Sequence, residues 1–200
     1  MRVESIKDFL ASARVFARSV REVVEEELLR EMAGRQISFA QMRLLFLIAH
    51  TEAPTIGDVG VFLRISKAGA SKIVEQLVRR KLIERVEIAG DRRSRKLFLT
   101  EDGRQLMRDY ELARDNWTAK ILGEYSDEEM LHTAETLDQL SSTIVRHSKT
   151  FRDPCLQCET YYREECRFQQ LCGCRCYYQS RWADKRANLL STNVVKPASH

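Results

Sequence analysis

The sequence lacks any long apolar run. The longest one, LLFLIA at residues 44–49, is far too short for a bilayer-spanning helix, which needs about 20 residues. The N-terminal stretch MRVESIKDFLASARVF is charged throughout and has no apolar core of a secretory signal. With 44% apolar and 31% charged residues, the 200-residue chain can still bury an ordinary core. We therefore expect a protein of the reducing cytoplasm, built as one domain or as one domain with an appendage.

The usual motifs of enzyme active sites are also missing. The sequence contains no glycine-rich phosphate loop, no nucleophile elbow and no paired carboxylates at a catalytic spacing. It has only four histidines, and they are scattered: His50, His132, His147 and His200. We see no internal repeat and no low-complexity stretch. On this basis we expect that the protein is not an enzyme.

Most of the chain carries the apolar spacing of amphipathic helices. The first thirty residues show it, and Gly34 is a plausible stop. Each later helical stretch follows a Ser or Thr suited to cap it, and we predict helices at residues 39–50, 56–64, 67–81, about 101–122 and about 127–147. The caps are Ser38, Thr55, Ser66, Thr100 and Ser126.

Between the third and fourth of these helices the apolar period changes from helical to alternating. LIERVEI predicts a strand, AGDRRS a turn and RKLFLT a returning strand. Helices followed by such a hairpin form the pattern of a winged helix-turn-helix. We therefore predict a mainly α fold with a small β-hairpin wing, made of a DNA-binding lobe and a helical dimerisation region.

Positive charge is concentrated in the same part of the chain. The formal net charge is only +4, yet residues 61–96 hold eleven Lys and Arg against four Asp and Glu. A basic block in a nearly neutral protein is typical of a nucleic-acid surface, and a solvated basic face is the alternative. The helix after Ser66 opens with small and cationic residues, which allow close approach to base edges and supply phosphate contacts. Arg92 and Arg93 stand at the hairpin tip, where arginine can enter a minor groove.

Two stretches carry a more specific resemblance. DRRSRKLFLTEDG, residues 91–103, resembles the wing signature of the MarR family of transcription regulators, in which an Asp-x-Arg turn precedes a strand and a Leu-Thr-x-x-Gly helix start. APTIGDVGVFLRISKAGASKIVEQLVRRKLIER, residues 53–85, is similar to the helix-turn-helix and following strand of that family. The resemblance covers roughly residues 1–148.

The resemblance implies a homodimer whose terminal helices form the interface and whose two recognition helices read a pseudo-palindromic duplex. It implies that Asp91 braces the wing arginines, and we regard Arg95 as a weaker phosphate contact. Arg64 departs from the family, which usually has glycine or another small residue in this turn, and is either a phosphate contact or a strained turn residue. The DNA-contacting residues implied by position are Ser66, Lys67, Ser71 and Lys72 in the major groove and Arg92 and Arg93 in the wing.

Cysteine is absent from the first 154 residues, and then all six cysteines fall within 22. In a reducing compartment such a cluster indicates metal or redox chemistry more often than structural disulfides. If residues 159–166 are helical, the second and third cysteines share a face, and an extended chain would place the last three on one side. We predict a metal-binding set of Cys155, Cys158, Cys166, Cys172, Cys174 and Cys176, with Cys172 as the preferred fourth ligand after the first three.

Three interpretations of this segment remain open. Four thiolates at irregular spacing suit an iron–sulfur cluster. Structural zinc also takes four thiolates but favours two short Cys-x2–4-Cys knuckles, of which only Cys155–Cys158 is regular here. A disulfide-based thiol switch is the third.

The sequence thus predicts a DNA-binding transcription regulator, in the first place a repressor, with an iron–sulfur cluster that senses redox state or iron. One alternative keeps the DNA function, with zinc as a structural clip and a small aromatic ligand as the signal. Another is a redox or electron-transfer protein with a non-functional helix-turn-helix. We divide the chain into a dimerisation helix (1–35), a winged helix-turn-helix (36–100), C-terminal dimerisation helices (101–150) and a cysteine-rich segment with a terminal helix and tail (151–200).

Overall fold

The structure is a computed structural model that describes residues 2–32, 37–51, 53–88, 91–148, 158–163, 165–173, 176 and 178. It begins with one continuous helix in three parts: α1 (Arg2–Ser19), a π-helical segment (Val20–Glu27) and α2 (Leu28–Glu31). Leu28 and Leu29 reach the core, whereas Ile6 and Phe16 on the predicted apolar face stay 51% and 52% exposed. A single chain therefore leaves much of this face uncovered.

Three capped helices follow: α3 (Phe39–His50), α4 (Ile56–Leu63) and α5 (Lys67–Arg79). The predicted caps are confirmed. The Ser38 hydroxyl accepts from the Gln41 amide at 3.3 Å, and the amides of Asp58 and Gly69 donate in the same way to Thr55 and Ser66. Such bonds satisfy amides that have no partner within the helix.

The predicted hairpin consists of β1 (Ile83–Ile88) and β2 (Asp91–Leu99), paired antiparallel. The predicted turn at residues 89–94 is too long, because β2 already begins at Asp91. The register jumps from the pair Glu87–Arg95 to the pair Ile88–Asp91, so residues 92–94 form an irregularity near the tip. Extra residues on one strand interrupt the ladder and increase the local twist. Thr55 bridges to Lys96 and thereby ties the hairpin to the start of α4.

Two long helices complete the predicted pattern, α6 (Glu101–Leu122) and α7 (Asp127–Arg146), and a short α8 (Arg167–Cys172) follows in the cysteine segment. Thr100 and Ser126 cap the long helices as predicted. The main core joins all the elements of the lobe, with fully buried Leu45 from α3, Phe62 from α4, Leu77 from α5, Leu97 from β2 and Tyr110 from α6. Within the described residues, no helix combines the length and the apolar character needed to cross a membrane.

Candidate nucleic-acid interface and cysteine site

Helix α5 has one buried face and one exposed, basic face. Ala70, Val74 and Leu77 are fully buried and fix the helix on the lobe. Lys67 and Lys72 are exposed, and Ser71 is half-buried. Because residues four apart share a helix face, Lys67 and Ser71 point the same way. The first turns of α5 can therefore approach a duplex without disturbing the core.

The turn between α4 and α5 is tight and strained. Arg64 ends α4 with φ of 55°, in the left-handed region that suits glycine. The Ile65 amide donates to the Gly60 carbonyl at 3.0 Å and closes the turn. Of the two alternatives for Arg64, the backbone thus supports a strained turn residue. A phosphate contact from its side chain remains a separate prediction.

The wing, which consists of β1 and β2, follows α5 directly in the sequence. In β2, Arg95 pairs with Glu87 across the hairpin at 3.0 Å, with both side chains about half exposed. Arg92 and Arg93 lie in the irregular part of β2, and their side chains, like that of Asp91, fall outside the described residues. The predicted wing contacts therefore remain predictions.

Four of the six cysteines lie among the described residues. Cys176 is 5% exposed and belongs to the main core, and Cys158 packs against that core. Cys166 precedes α8 and is half-buried, and Cys172 ends α8 and is disulfide-bonded. Cys155 and Cys174 lie outside the described residues.

The local structure of the segment differs from the sequence prediction in two places. Residues 159–163 form turns and irregular backbone rather than a helix, and Glu159 has φ of 52°. Cys172 belongs to α8 rather than to an extended strand, and Gly173 ends that helix with φ of 68°. Helical spacing misleads here because this short segment folds by docking on the lobe and not by its own apolar period.

Among the described residues, no group of three or more Cys, His, Asp or Glu is arranged to hold a metal ion. Cys158 and Cys166 nevertheless lie near the same guanidinium. The pKa of Arg163 is raised, mainly by its hydrogen bonds to Asp138, with smaller contributions from Cys166 and Cys158. The chain thus brings two of the predicted ligands to one region.

Residues 35–94 match the MarR family. This match spans 60 of the 200 residues. The structure also resembles a MepR variant of Staphylococcus aureus (20% identity, TM-score 0.58, covering 68% of this chain and 98% of that one) and RV1404 of Mycobacterium tuberculosis (20%, 0.57, 72% and 94%). A second MepR variant, bound to an oligodeoxyribonucleotide, is similar as well (22%, 0.50, 68% and 97%).

These solved structures are covered almost completely, while a substantial part of this chain has no counterpart in them. No curated protein sequence matches the chain. The likeness shows a shared fold, which is mostly helical with a two-stranded hairpin.

The cysteine segment packs two tyrosines against α3 and α4, within the region that matches the MarR family. Tyr178 is 1% exposed, and its ring lies 5.7 Å from that of Phe62 in α4. Tyr162 stacks on His50 of α3 at 4.9 Å, and His50 in turn stacks on Phe46 at 5.7 Å. Both the third and the fourth helices of the chain are therefore packed against this segment.

Polar contacts surround this aromatic cluster, and sequence patterns did not point to them. Glu159 pairs with Arg43 of α3 at 3.1 Å, and its carbonyl accepts from the Tyr178 hydroxyl at 2.8 Å. Arg114 of α6 donates to the Thr160 carbonyl at 2.6 Å. The only signal in the sequence was the presence of tyrosines and acidic residues between the cysteines. It was weak, because the partners of these tyrosines and acidic residues lie more than a hundred residues away or on another helix.

Glu25 completes this buried polar region from the π-helical segment. It is 6% exposed, and its pKa is raised to about 7, first by burial and then by the charge of Glu159. Arg21 and Arg43 act in the opposite direction. A π-helical stretch often marks a functional position within a longer helix. Here it carries a buried carboxyl group whose pKa responds to the charge of Glu159 in the cysteine segment.

Proposed function

We propose that this protein is a dimeric, DNA-binding transcription regulator, in the first place a repressor, whose DNA affinity is controlled by an iron–sulfur cluster in the cysteine segment. The observation that carries the proposal is the docking of that segment on the MarR domain. Cys158 and Cys176 pack with the same core that holds Val74 and Leu77 of α5. We therefore expect a change at these cysteines to be transmitted through the core to the helix proposed to bind DNA.

The DNA-binding part of the proposal is supported by fold and charge together. A MepR variant with the same fold has been solved with an oligodeoxyribonucleotide. In this chain, the basic block of residues 61–96 spans α5 and the wing. In helix-turn-helix dimers the two recognition helices enter major grooves about one helical turn apart. We therefore assign the contacts to Ser66, Lys67, Ser71 and Lys72, with Arg92, Arg93 and Arg95 in the wing.

The donor set is chemically suited to an iron–sulfur cluster, since thiolates are its usual ligands. Cys155, Cys158, Cys166 and Cys172 would hold it, and Cys174 and Cys176 are further thiols of the segment. When bound, a cluster would cross-link these four cysteines, and iron limitation or oxidation would remove that cross-link. Cys172 must be reduced before it can act as a ligand, because the thiolate is the binding form.

The test begins with protein purified without oxygen. We expect a brown protein containing iron and sulfide, and we expect air or an iron chelator to remove the colour and to change DNA affinity. Cys158→Ser and Cys166→Ser should abolish the colour and fix one DNA-binding state. Gln170→Ser, at an exposed position of α8, is the matched control and should behave like wild type. Stoichiometric zinc, with normal DNA binding and release by both cysteine variants, would make the segment a structural clip.

A thiol switch is the second candidate, and the disulfide of Cys172 favours it. In this case the protein should contain no iron, and a disulfide oxidant and a dithiol reductant should move DNA affinity in opposite directions. Replacing Cys172 by Ser should remove that response. Metal analysis and DNA titration of the same sample separate the two candidates.

A further inference from the structure

The described residues between Cys158 and Tyr178 contact two parts of the molecule at once. Their aromatic contacts go to the DNA-binding lobe. Tyr178 packs on Phe62 of α4, and Tyr162 stacks on His50 of α3. Tyr178 is fully buried although it lies twenty residues past Cys158, so its burial depends entirely on docking. A buried tyrosine typically stabilises such contacts by its large apolar area.

The other contacts of the segment go to the helices after the wing. Arg163 forms two hydrogen bonds with Asp138 of α7, at 2.7 and 3.0 Å. Arg167 pairs with Glu135, one turn earlier on α7, at 2.5 Å. Asp138 is only 13% exposed, and a two-pronged guanidinium–carboxylate pair fixes geometry better than a single contact. Along the segment, the charged contacts of Arg163 and Arg167 with α7 therefore lie between the aromatic contacts of Tyr162 and Tyr178 with the lobe.

We propose that residues 158–178 act as a clamp that fixes the DNA-binding lobe relative to α7, with Asp138 and Arg163 as positioning residues for DNA binding. The inference rests on the proposed DNA-binding function. This segment contacts α3, α4, α6 and α7 and so connects the lobe with α7. Cys158 and Cys166 flank Arg163 in sequence, so we expect the state of these cysteines to act on the Arg163–Asp138 pair.

The clamp has a consequence for affinity. Two recognition helices in a dimer must match half-sites about one helical turn apart. A lobe that is free to change its angle relative to α7 populates this arrangement only part of the time, and its apparent affinity falls by that fraction. Release of the clamp should therefore weaken DNA binding by about 5- to 150-fold, the usual range of coupling between sites.

Charge reversal tests the clamp without opening the core. Asp138→Arg and Arg163→Asp should each release the segment, and the double variant should restore it with the pair reversed. Hydrogen exchange of amides 158–173 reports docking. Titration with a duplex that wild-type protein selects from a random-sequence pool reports affinity. We expect both single variants to lose amide protection and to bind at least about 5-fold more weakly, and we expect the double variant to bind like wild type. Glu128→Arg makes the same charge change at an exposed position of α7 and is the control.

The outcomes separate the clamp from the function on which it rests. If the single variants lose protection but bind DNA as wild type does, or if they keep full protection, the clamp is wrong. If wild-type protein selects no duplex from the pool, the proposed DNA-binding function fails, while the exchange data still decide whether the pair docks the segment. Recovery in the double variant excludes a general loss of folding.

Discussion

Glu25 shows how one buried carboxyl group can make stability depend on pH. It lies in the π-helical segment, where burial and the nearby Glu159 raise its pKa from 4.5 to about 7. The folded protein therefore holds this proton more tightly than the unfolded chain does. The stabilisation is complete below pH 4.5, the unfolded value, and is lost as the pH rises to about 7. Above that pH the charged form must be buried close to Glu159.

We predict that Glu25→Gln removes this part of the pH dependence, because glutamine resembles the neutral acid. The wild-type free energy of unfolding should fall by up to about 1.4 kcal/mol per pH unit from this group across the window. The variant should match wild type near pH 5 and exceed it near pH 8, as measured by urea denaturation. Glu26→Gln, at the next and less buried position, is the control. If the free energy of unfolding changed with pH in the same way for Glu25→Gln and wild type, the prediction would be wrong.

Gly103 explains one letter of the Leu-Thr-x-x-Gly pattern. A Cβ at this position would lie 2.1 Å from the backbone carbonyl oxygen of Leu82, whose partner is the Thr100 amide at 3.1 Å. No side chain can occupy that space unless the first turn of α6 moves away from the end of α5. The glycine is thus required by close backbone approach.

We predict that Gly103→Ala lowers the free energy of unfolding by about 3 kcal/mol, in the upper part of the range for overpacking. Gly57→Ala is the matched control, because its Cβ would meet only the Thr55 hydroxyl, at 3.5 Å. Alanine should even stabilise α4 there, by up to about 1 kcal/mol. Thermal unfolding of both variants provides the measurement, and equal melting temperatures would show that α6 can shift without cost.

At the scale of elements, α5 divides into anchoring and reading positions. Truncation of Lys67 or Lys72 to Ala should weaken binding to all sequences alike and reduce the salt slope by about one ion each, since each phosphate contact displaces about one counterion. Ser71→Ala should instead change the preferred base, by about 1–3 kcal/mol at one position. Salt-dependent titrations on a set of single-base variants distinguish these effects. Uniform loss on every duplex would remove Ser71 from base reading.

Residues 159–163 show where the prediction of helices from apolar spacing and caps reaches its limit. Ser and Thr caps and apolar spacing predicted α3 to α7 because caps and core positions are local properties of the sequence. The non-helical stretch at residues 159–163 was not predictable in this way. Its backbone follows contacts made by Glu159 and Thr160 with Arg43 and Arg114, which lie far away in sequence.

At the scale of the whole molecule, the exposed apolar face of the first helix calls for a partner. We predict a dimer in solution that binds an inverted repeat, with a second copy covering this face. Phe16→Glu should produce monomers and weaken DNA binding by more than about 10-fold, since a charge in an apolar interface is costly. Ala11→Glu adds the same charge on the opposite side of α1 and should remain dimeric. Analytical ultracentrifugation measures the oligomeric state of the three proteins. A monomeric wild type that binds DNA with full affinity would contradict the prediction.

The sequence by itself determined the order of helices and hairpin and the crowding of six thiols at one end, because these depend on caps, apolar period and composition. It also predicted candidate DNA contacts, since a cationic helix start is visible as residues in a row. Only the tertiary structure placed Tyr178 against Phe62, paired Arg163 with Asp138 and buried Glu25 beside Glu159. Such contacts join residues that are distant in the chain, and no local pattern encodes which of many tyrosines, arginines or acids will meet once the core has formed.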